Sequence, residues 1–416
     1  MKKFLSIALV LVLMLGCFAA CGNSAKEPAG DGTTPEGNAP TDVAPEGGAS
    51  ASGDTIKVGV IGCHTGENAQ YGLGVRNGVT LYVDELNANG GINGKQVELV
   101  VYDNKGDNAE AINAFNRAVE DGITALIGDV LTDNTIAVVG AAYPLNMPMI
   151  TPSATAASVT YDADADQVYG NVFRTCFIDP FQGEKMAEYS AEKLDAKTAA
   201  ILYETGNSYS VGLKDAFVAK CKELNVEVVA EEGYAKGDID FKSQLTTISS
   251  KNPDVLFCPN YYEANGLIIT QAREVGYKGT VLGGDGMNGV KKSGSAEDIE
   301  GTLYCSGYAP ASTDAVKKFE ADFTAKFGAD YLNMFAATAY DAAIVMCNAL
   351  SIAEEAGLKA GTDEYKQAVI DAIRDNSAEL ECITSAGYKF DEHNNPIKDA
   401  VIMKLVNGEE VFLENF

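Results

Sequence analysis

Short runs of β-branched and aliphatic residues alternate with stretches apolar at helical spacing, and they do so in two successive blocks. The first block opens with a buried strand at 56–61 that ends at Gly62. A helix at 72–86 follows, with Val75, Val79, Tyr82, Val83 and Leu86 on one face. Asn87-Ala88-Asn89-Gly90-Gly91 stops that helix with residues that tolerate left-handed backbone. Strands at 97–102 and 123–127 then alternate with helices at 108–121 and 132–143, and a further strand closes at Met149-Ile150. The pattern restarts at 172–175, which leads into a helix at 182–194. Strands at 199–203, 226–230, 255–258 and 280–282 follow, with helices at 211–224, 241–250 and 264–275 between them. Strict alternation predicts parallel sheets covered by helices. Two blocks in 416 residues, too many for one core, predict two lobes.

After an extended segment at 302–307 come helices at 313–327, 335–356 and 363–375. Short strands at 388–390, 400–405 and 411–413 end the chain, joined by turns at His393-Asn394-Asn395-Pro396 and Asn407-Gly408. Helices returning after the second block imply that the chain goes back to the first lobe, and several such crossings make a hinge.

The N-terminus has its own logic. Lys2-Lys3 precede an apolar run at 4–15 that is too short to span a bilayer, which reads as an export signal over 1–20. Small residues lead to Cys21, and the sequence resembles a lipoprotein signal with the lipid on that thiol. Cys17 is a competing site, and Phe18 departs from the usual Leu. Behind Cys21, residues 22–53 are Gly, Pro, Ala, Ser, Thr and a few acids, with Val43 the only larger aliphatic residue, so 21–53 is read as lipidated Cys and flexible tether. Two acyl chains are what stable anchoring needs. The expected location is therefore the outer face of a cell membrane. A net charge of −28 repels nucleic acid and fits an exported, soluble body.

Enzymatic chemistry finds little support. His64 and His393 are the only histidines, G-x-S-x-G and Walker sequences are absent, and Gly72-Leu73-Gly74 is not completed to G-x-G-x-x-G. Asp162-Ala163-Asp164-Ala165-Asp166 lacks the glycine and late glutamate of a calcium loop and reads as a solvated acidic turn. The seven cysteines of the body form no C-x-x-C pair and sit mostly in apolar runs, as small buried hydrophobes. No metal or cofactor is expected.

Binding chemistry fares better. The apolar run Met147-Pro148-Met149-Ile150 ends abruptly in Thr151-Pro152-Ser153-Ala154-Thr155, and open α/β sheets hold ligands just beyond the carboxyl ends of their strands. Ser153, Ala154 and Thr155 there, with Thr132 at a helix start, offer hydroxyls and free N–H groups to a carboxylate. Thr132 or Asp133 can equally be a plain helix cap. Asp285, between Gly284 and Gly286, suits an ammonium group. Tyr71, Tyr209 and Tyr261 fall in loops after predicted strands and can cover an aliphatic chain while hydrogen-bonding.

Lys57-Val58-Gly59-Val60-Ile61-Gly62, Ala69-Gln70-Tyr71-Gly72, Asn87-Ala88-Asn89-Gly90-Gly91-Ile92-Asn93-Gly94, Thr151-Pro152-Ser153-Ala154-Thr155 and Tyr261-Tyr262-Glu263 resemble the branched-chain amino acid binding proteins of ABC importers, from about Asp54 to the C-terminus. The resemblance implies an α/β, type I periplasmic-binding-protein fold with two Rossmann-like lobes on a three-crossing hinge. The first lobe would be 54–176 plus 307–384 and the second 177–306 plus 385–416. It implies that an amino acid's carboxylate meets Thr132, Ser153 and Thr155, and that its ammonium meets Asp285 beside Tyr261, with Tyr71 and Tyr209 at the side-chain end or closing edge. Departures are Asp285 where the best-known members carry Glu, Lys105 and Leu131 at about the places of their small disulfide, and Asp133-Asn134 in place of small hydroxyls. Implied partners are a small amino acid, an ABC permease with its ATPase subunits, and the membrane through the lipid. The protein is expected to be a monomer. A sensor lipoprotein of the same fold, or a binder of another small amide or carboxylate, is the alternative.

Overall fold

The computed structural model describes residues 55–416. The export signal at 1–20, Cys21 and the tether at 22–53 lie outside the described residues.

The first sheet is built from β1 (Ile56–Gly62), β2 (Val97–Asp103), β3 (Ala125–Ile127), β4 (Met149–Thr151) and, after a small hairpin of β5 (Tyr161–Asp162) and β6 (Gln167–Val168), β7 (Val172–Arg174). All five strands are parallel, in the order β2-β1-β3-β4-β7. Helices α1 (Ala69–Ala88), α2 (Asn108–Glu120) and α3 (Thr132–Ala142) make its crossovers. Residues 172–175 read as the start of the second block. They instead close the first sheet, because Met149, Ile150 and Thr151 of β4 pair with Val172, Phe173 and Arg174. The acidic stretch at 162–166 is the tip of the hairpin, where Asp162 Oδ1 accepts from the backbone N–H of Asp164 and Ala165, both at 3.0 Å.

The second sheet repeats the plan. Helix α4 (Asp179–Glu192) leads to β8 (Thr198–Glu204), α5 (Ser208–Leu224), β9 (Glu227–Tyr234), α6 (Lys242–Lys251), β10 (Val255–Phe257), α7 (Tyr262–Glu274), β11 (Thr280–Gly283) and β12 (Leu303–Ser306). After α8 (Asp314–Phe327), α9 (Met334–Glu355) and α10 (Asp363–Asn376), the hairpin of β13 (Val401–Val406) and β14 (Glu409–Asn415) adds two antiparallel strands at the β12 edge. The order is β14-β13-β12-β11-β10-β8-β9. In both sheets the chain reverses direction across the sheet between its first and third strands, β1/β3 and β8/β10. That reversal leaves a crevice at the strands' carboxyl ends. The strand expected at 388–390 is only a single bridge between Phe390 and Pro396.

The chain crosses between the sheets after β7, after β12 and after α10. Helix α9 is long and apolar enough to cross a membrane, yet its apolar surface is buried against α1, α10, β3 and β4. It carries the polar node of the hinge. Asp341 accepts from the N–H groups of Ile383 (2.7 Å) and Thr384 (2.9 Å) and from the hydroxyls of Thr384 (2.6 Å) and Tyr388 (3.0 Å). Lys398 Nζ donates to Thr384 Oγ1 at 2.6 Å and to Thr175 O at 3.2 Å. The first and third crossings are thereby tied to one buried carboxylate. The seven cysteines of the described residues are all free, six of them buried.

The seam between α1 and α9 depends on glycine. A Cβ on Gly78 would stand 2.2 Å from the backbone oxygen of Ala336, so only a hydrogen lets the two helices approach. We expect Gly78→Ala to destabilise the fold by about 1–3 kcal/mol through overpacking, although alanine is the better helix former by about 1 kcal/mol. Urea unfolding checks this, and unchanged or raised stability would contradict the close-packed seam.

Candidate functional site

The crevices of the two sheets face each other. On the first lobe the loops after β3 and β4 are stitched together. Thr151 Oγ1 donates to Asp129 O (2.8 Å) and Ser153 Oγ to Val130 O (2.7 Å), while the Thr155 N–H reaches Thr132 Oγ1 at 3.4 Å. From beneath, the buried Arg174 guanidinium holds this loop by donating to Ala154 O (2.9 Å) and Ala156 O (3.0 Å). Helix α3 starts at Thr132 after Leu131, which supplies no side-chain cap. Neither Thr132 nor Asp133 is that cap, so the helix N-terminus keeps its partial positive charge toward the cleft. Asp133 Oδ1 instead accepts from the Ser208 N–H of the second lobe at 3.3 Å.

On the second lobe the loops after β8, β10 and β11 supply Tyr209, Tyr261 and Asp285. Tyr209 lies in the first turn of α5, which Asn207 caps by accepting from the N–H of Tyr209 at 3.0 Å. Tyr71 likewise sits in the first turn of α1. Both were expected in loops; the helices begin earlier than their apolar periodicity does. The ring of Tyr261 stacks on Tyr209 (5.0 Å between centroids, 12° between planes). Tyr71 meets Tyr261 and Phe335 edge-on at 5.9 and 4.7 Å.

Asp285 closes this aromatic box at its floor and is only 1% exposed. Its N–H donates to Gln182 Oε1 at 2.8 Å, and the next N–H, of Gly286, donates to the Tyr209 hydroxyl oxygen at 2.7 Å. A Cβ on Gly286 would stand 2.7 Å from that oxygen, so the turn requires glycine. The Asp285 Oδ2 atom has no hydrogen-bond partner. Burial pushes its carboxyl up to about 7, against the hydrogen bonds of Tyr209 and Gln182, which favour the charged form.

Two features escaped the sequence reading. Asp179, at the start of α4, is fully buried beside this floor with neither carboxylate oxygen hydrogen-bonded. Burial raises its pKa well above the usual range, and the Asp285 charge acts in the same direction. Phe335, from the first turn of α9, supplies a wall, and only the apolar character of that helix hinted at it. Tyr71, Thr132, Ser153, Tyr209, Tyr261 and Asp285 together line one small cavity of about 10 Å³ with Val130, Leu131, Gly286 and Phe335. Thr155 and Ala154, also expected at the site, are fully buried and do not line it. His64 is nearly buried, and burial lowers its pKa to about 4, so it stays neutral.

The lobes are latched across the cleft. Tyr71 Oη donates to Gly286 O (2.7 Å) and accepts from the Tyr262 N–H (3.0 Å), and Tyr262 Oη donates to Glu67 O at 2.6 Å. Arranged this way, neutral donors and a helix N-terminus on one lobe face a buried carboxylate on the other. The two kinds of group suit the two ends of a zwitterion once the lobes part to admit it, and among the described residues the site has no nucleophile paired with a base.

The sequence profile described as periplasmic binding protein matches residues 55–410. The chain is 32% identical over 321 residues to the Leu/Ile/Val-binding protein BraC3 of Rhizobium johnstonii, covering 77% of this chain and 83% of that protein. It is 30% identical over 331 residues to the leucine-, isoleucine-, valine-, threonine- and alanine-binding protein of Pseudomonas aeruginosa, covering 79% and 85%. Its fold is similar to the leucine-binding protein LivK of Thermotoga maritima (TM-score 0.78, 32% identity, 87% of this chain and 99% of that one). It is also similar to the branched-chain amino acid transporter substrate-binding protein LivJ of Streptococcus pneumoniae, solved with isoleucine (TM-score 0.77, 31% identity, 87% and 100%). The chain therefore belongs to the periplasmic binding proteins, a family that captures solutes rather than transforming them, and it has their type I, two-lobed form.

Proposed function

We propose that the protein is the solute-binding lipoprotein of an ABC importer, which captures an α-amino acid with an aliphatic or branched side chain and presents it to a membrane permease. The observation that carries this reading is the division of the site. Thr132, Ser153, Thr155 and the N-terminus of α3 stand on the first lobe, and Asp285 stands on the second. A zwitterion satisfies both halves only when the lobes are closed, so its affinity for the closed form exceeds that for the open one. The carboxylate is taken by the Thr132 and Thr155 donors and the ammonium by Asp285, while the rings of Tyr71, Tyr209, Tyr261 and Phe335 cover the side chain. Leucine, isoleucine and valine are the favoured ligands because the relatives named above bind them. The moving bodies are 54–176 plus 307–384 and 177–306 plus 385–416. Lipid on Cys21 and the tether at 21–53 keep the body at the outer membrane face near the permease, as a monomer.

Truncating one member of a buried charge pair costs about 2–5 kcal/mol, so Asp285→Ala should weaken leucine binding by about 30-fold or more while the fold persists. Isothermal titration with circular dichroism checks both. Leucine affinity equal to the parent's would remove Asp285 from the ammonium site.

The pH dependence follows from the raised Asp285 pKa. Below about 7 the carboxyl holds a proton and cannot balance an ammonium, so leucine affinity should fall toward acid by up to about tenfold per pH unit. Unliganded stability should move the other way. The folded chain holds this proton more tightly than the unfolded chain, so the contribution of Asp285 diminishes as pH rises from about 4 to about 7. Thermal unfolding without ligand at pH 5 and pH 8 should show a smaller loss in Asp285→Asn than in the parent. Identical slopes would place the titration elsewhere.

A further inference from the structure

Beyond the aromatic box the cleft widens into a second cavity of about 390 Å³. Leu131 and Tyr261 line both cavities, so the two are neighbours with the Tyr261 ring standing between them. The outer one is bordered by carboxylates from both lobes, Glu67 and Asp133 on one side and Glu204, Asp238 and Glu263 on the other, against the single cation Lys236. Two buried polar side chains line it with an oxygen that has no partner. Asn134 is 1% exposed; its amide nitrogen donates to Asn108 Oδ1 at 2.6 Å, and its Oδ1 accepts from nothing. Tyr234 is 5% exposed and its hydroxyl is equally unpaired. Buried acceptors without donors are costly, and a group bringing N–H donors together with positive charge would satisfy them. The half-buried Glu204 carboxyl points the same way. Burial raises its pKa, Asn207 and Lys236 pull it down, and the Asp133 and Glu67 charges push it up again.

The chemistry of the cavity narrows the ligand. Among the described residues no three His, Cys, Asp or Glu side chains come close enough to hold a metal ion. An anion would meet five carboxylates. Ile239, 73% exposed, and Leu267, 38% exposed, give the cavity an apolar lip suited to methylene groups. Resting on the amino-acid reading above, we infer that this outer cavity is a second subsite, which takes the ammonium or guanidinium end of an extended amino acid whose head group occupies the inner site. The solute range then includes basic amino acids beside the aliphatic ones.

L-arginine and L-citrulline have the same length and differ in the charge of the distal group, so they isolate the claim. Isothermal titration of the parent with leucine, arginine and citrulline should give arginine at least tenfold tighter than citrulline. Glu204→Gln should shrink that ratio at least threefold and leave leucine affinity within twofold. Leucine binding with arginine no tighter than citrulline would overturn the inference and spare the amino-acid reading. If Glu204→Gln weakened leucine as much as arginine, Glu204 would serve closure and the inference would fail. Should none of the three ligands bind, the amino-acid reading fails and takes the subsite with it.

Discussion

A carboxylate buried between two lobes with no cation beside it is the constraint around which this molecule is arranged. Asp285 is held by Tyr209 and Gln182 and pushed up to about 7 by burial. Hydrogen bonds can orient such a group, but they cannot replace the solvation of its charge. Two remedies exist, a proton or a ligand ammonium. The first works in a closed, unliganded form; the second is stronger because it adds a counter-charge. The cleft latches of Tyr71 on Gly286, Tyr262 on Glu67 and Ser208 on Asp133 show that closure also has contacts of its own. On the proposed reading, a ligand would favour closure by as much as it prefers the closed state.

For that shift to be a motion of lobes, the strain must concentrate where the chain crosses. Asp341 gathers the crossings after β7 and after α10 into one buried hydrogen-bonded node. Close packing of α1 on α9 keeps the returning helices with the first sheet. Hinge motions are absorbed by a few residues between such fixed bodies.

The alternation of strands and helices was legible because buried parallel strands read as unbroken apolar runs and covering helices keep one apolar stripe. Side chains at the crevice were legible where small hydroxyls and glycines interrupt such runs, as at 151–155 and 283–286. Other parts were hidden for physical reasons. Tyr71 and Tyr209 precede the apolar period of their helices, so by periodicity those helices begin after them. Arg174, Asp179 and Gln182 look like an ordinary strand end and polar first turn, since nothing local marks a charged residue for burial. Their partners, Ala154 O, the floor at Asp285 and the Asp285 N–H, come from distant segments. By pattern alone the 172–175 strand opened the second block, because sequence order does not reveal which edge a strand pairs with; the first-lobe bounds implied by the resemblance, 54–176, include it.

The kinds of group at the inner site also decide what it rejects. On the proposed reading, the carboxylate end would be met by hydroxyls, backbone N–H groups and a helix N-terminus. No Lys or Arg lines the inner cavity. Neutral donors of this kind stabilise a carboxylate without cancelling its charge, so electroneutrality in the closed cleft would depend on an ammonium that offsets Asp285. A simple carboxylic acid would bury a second negative charge next to Asp285. A dicarboxylic amino acid would bring its extra charge to a mouth already ringed by Glu67, Asp133, Glu204, Asp238 and Glu263. Both are disfavoured by the same electrostatics that suit a zwitterion. On the proposed reading, selectivity would come as much from the charges the cleft cannot accommodate as from the contacts it makes.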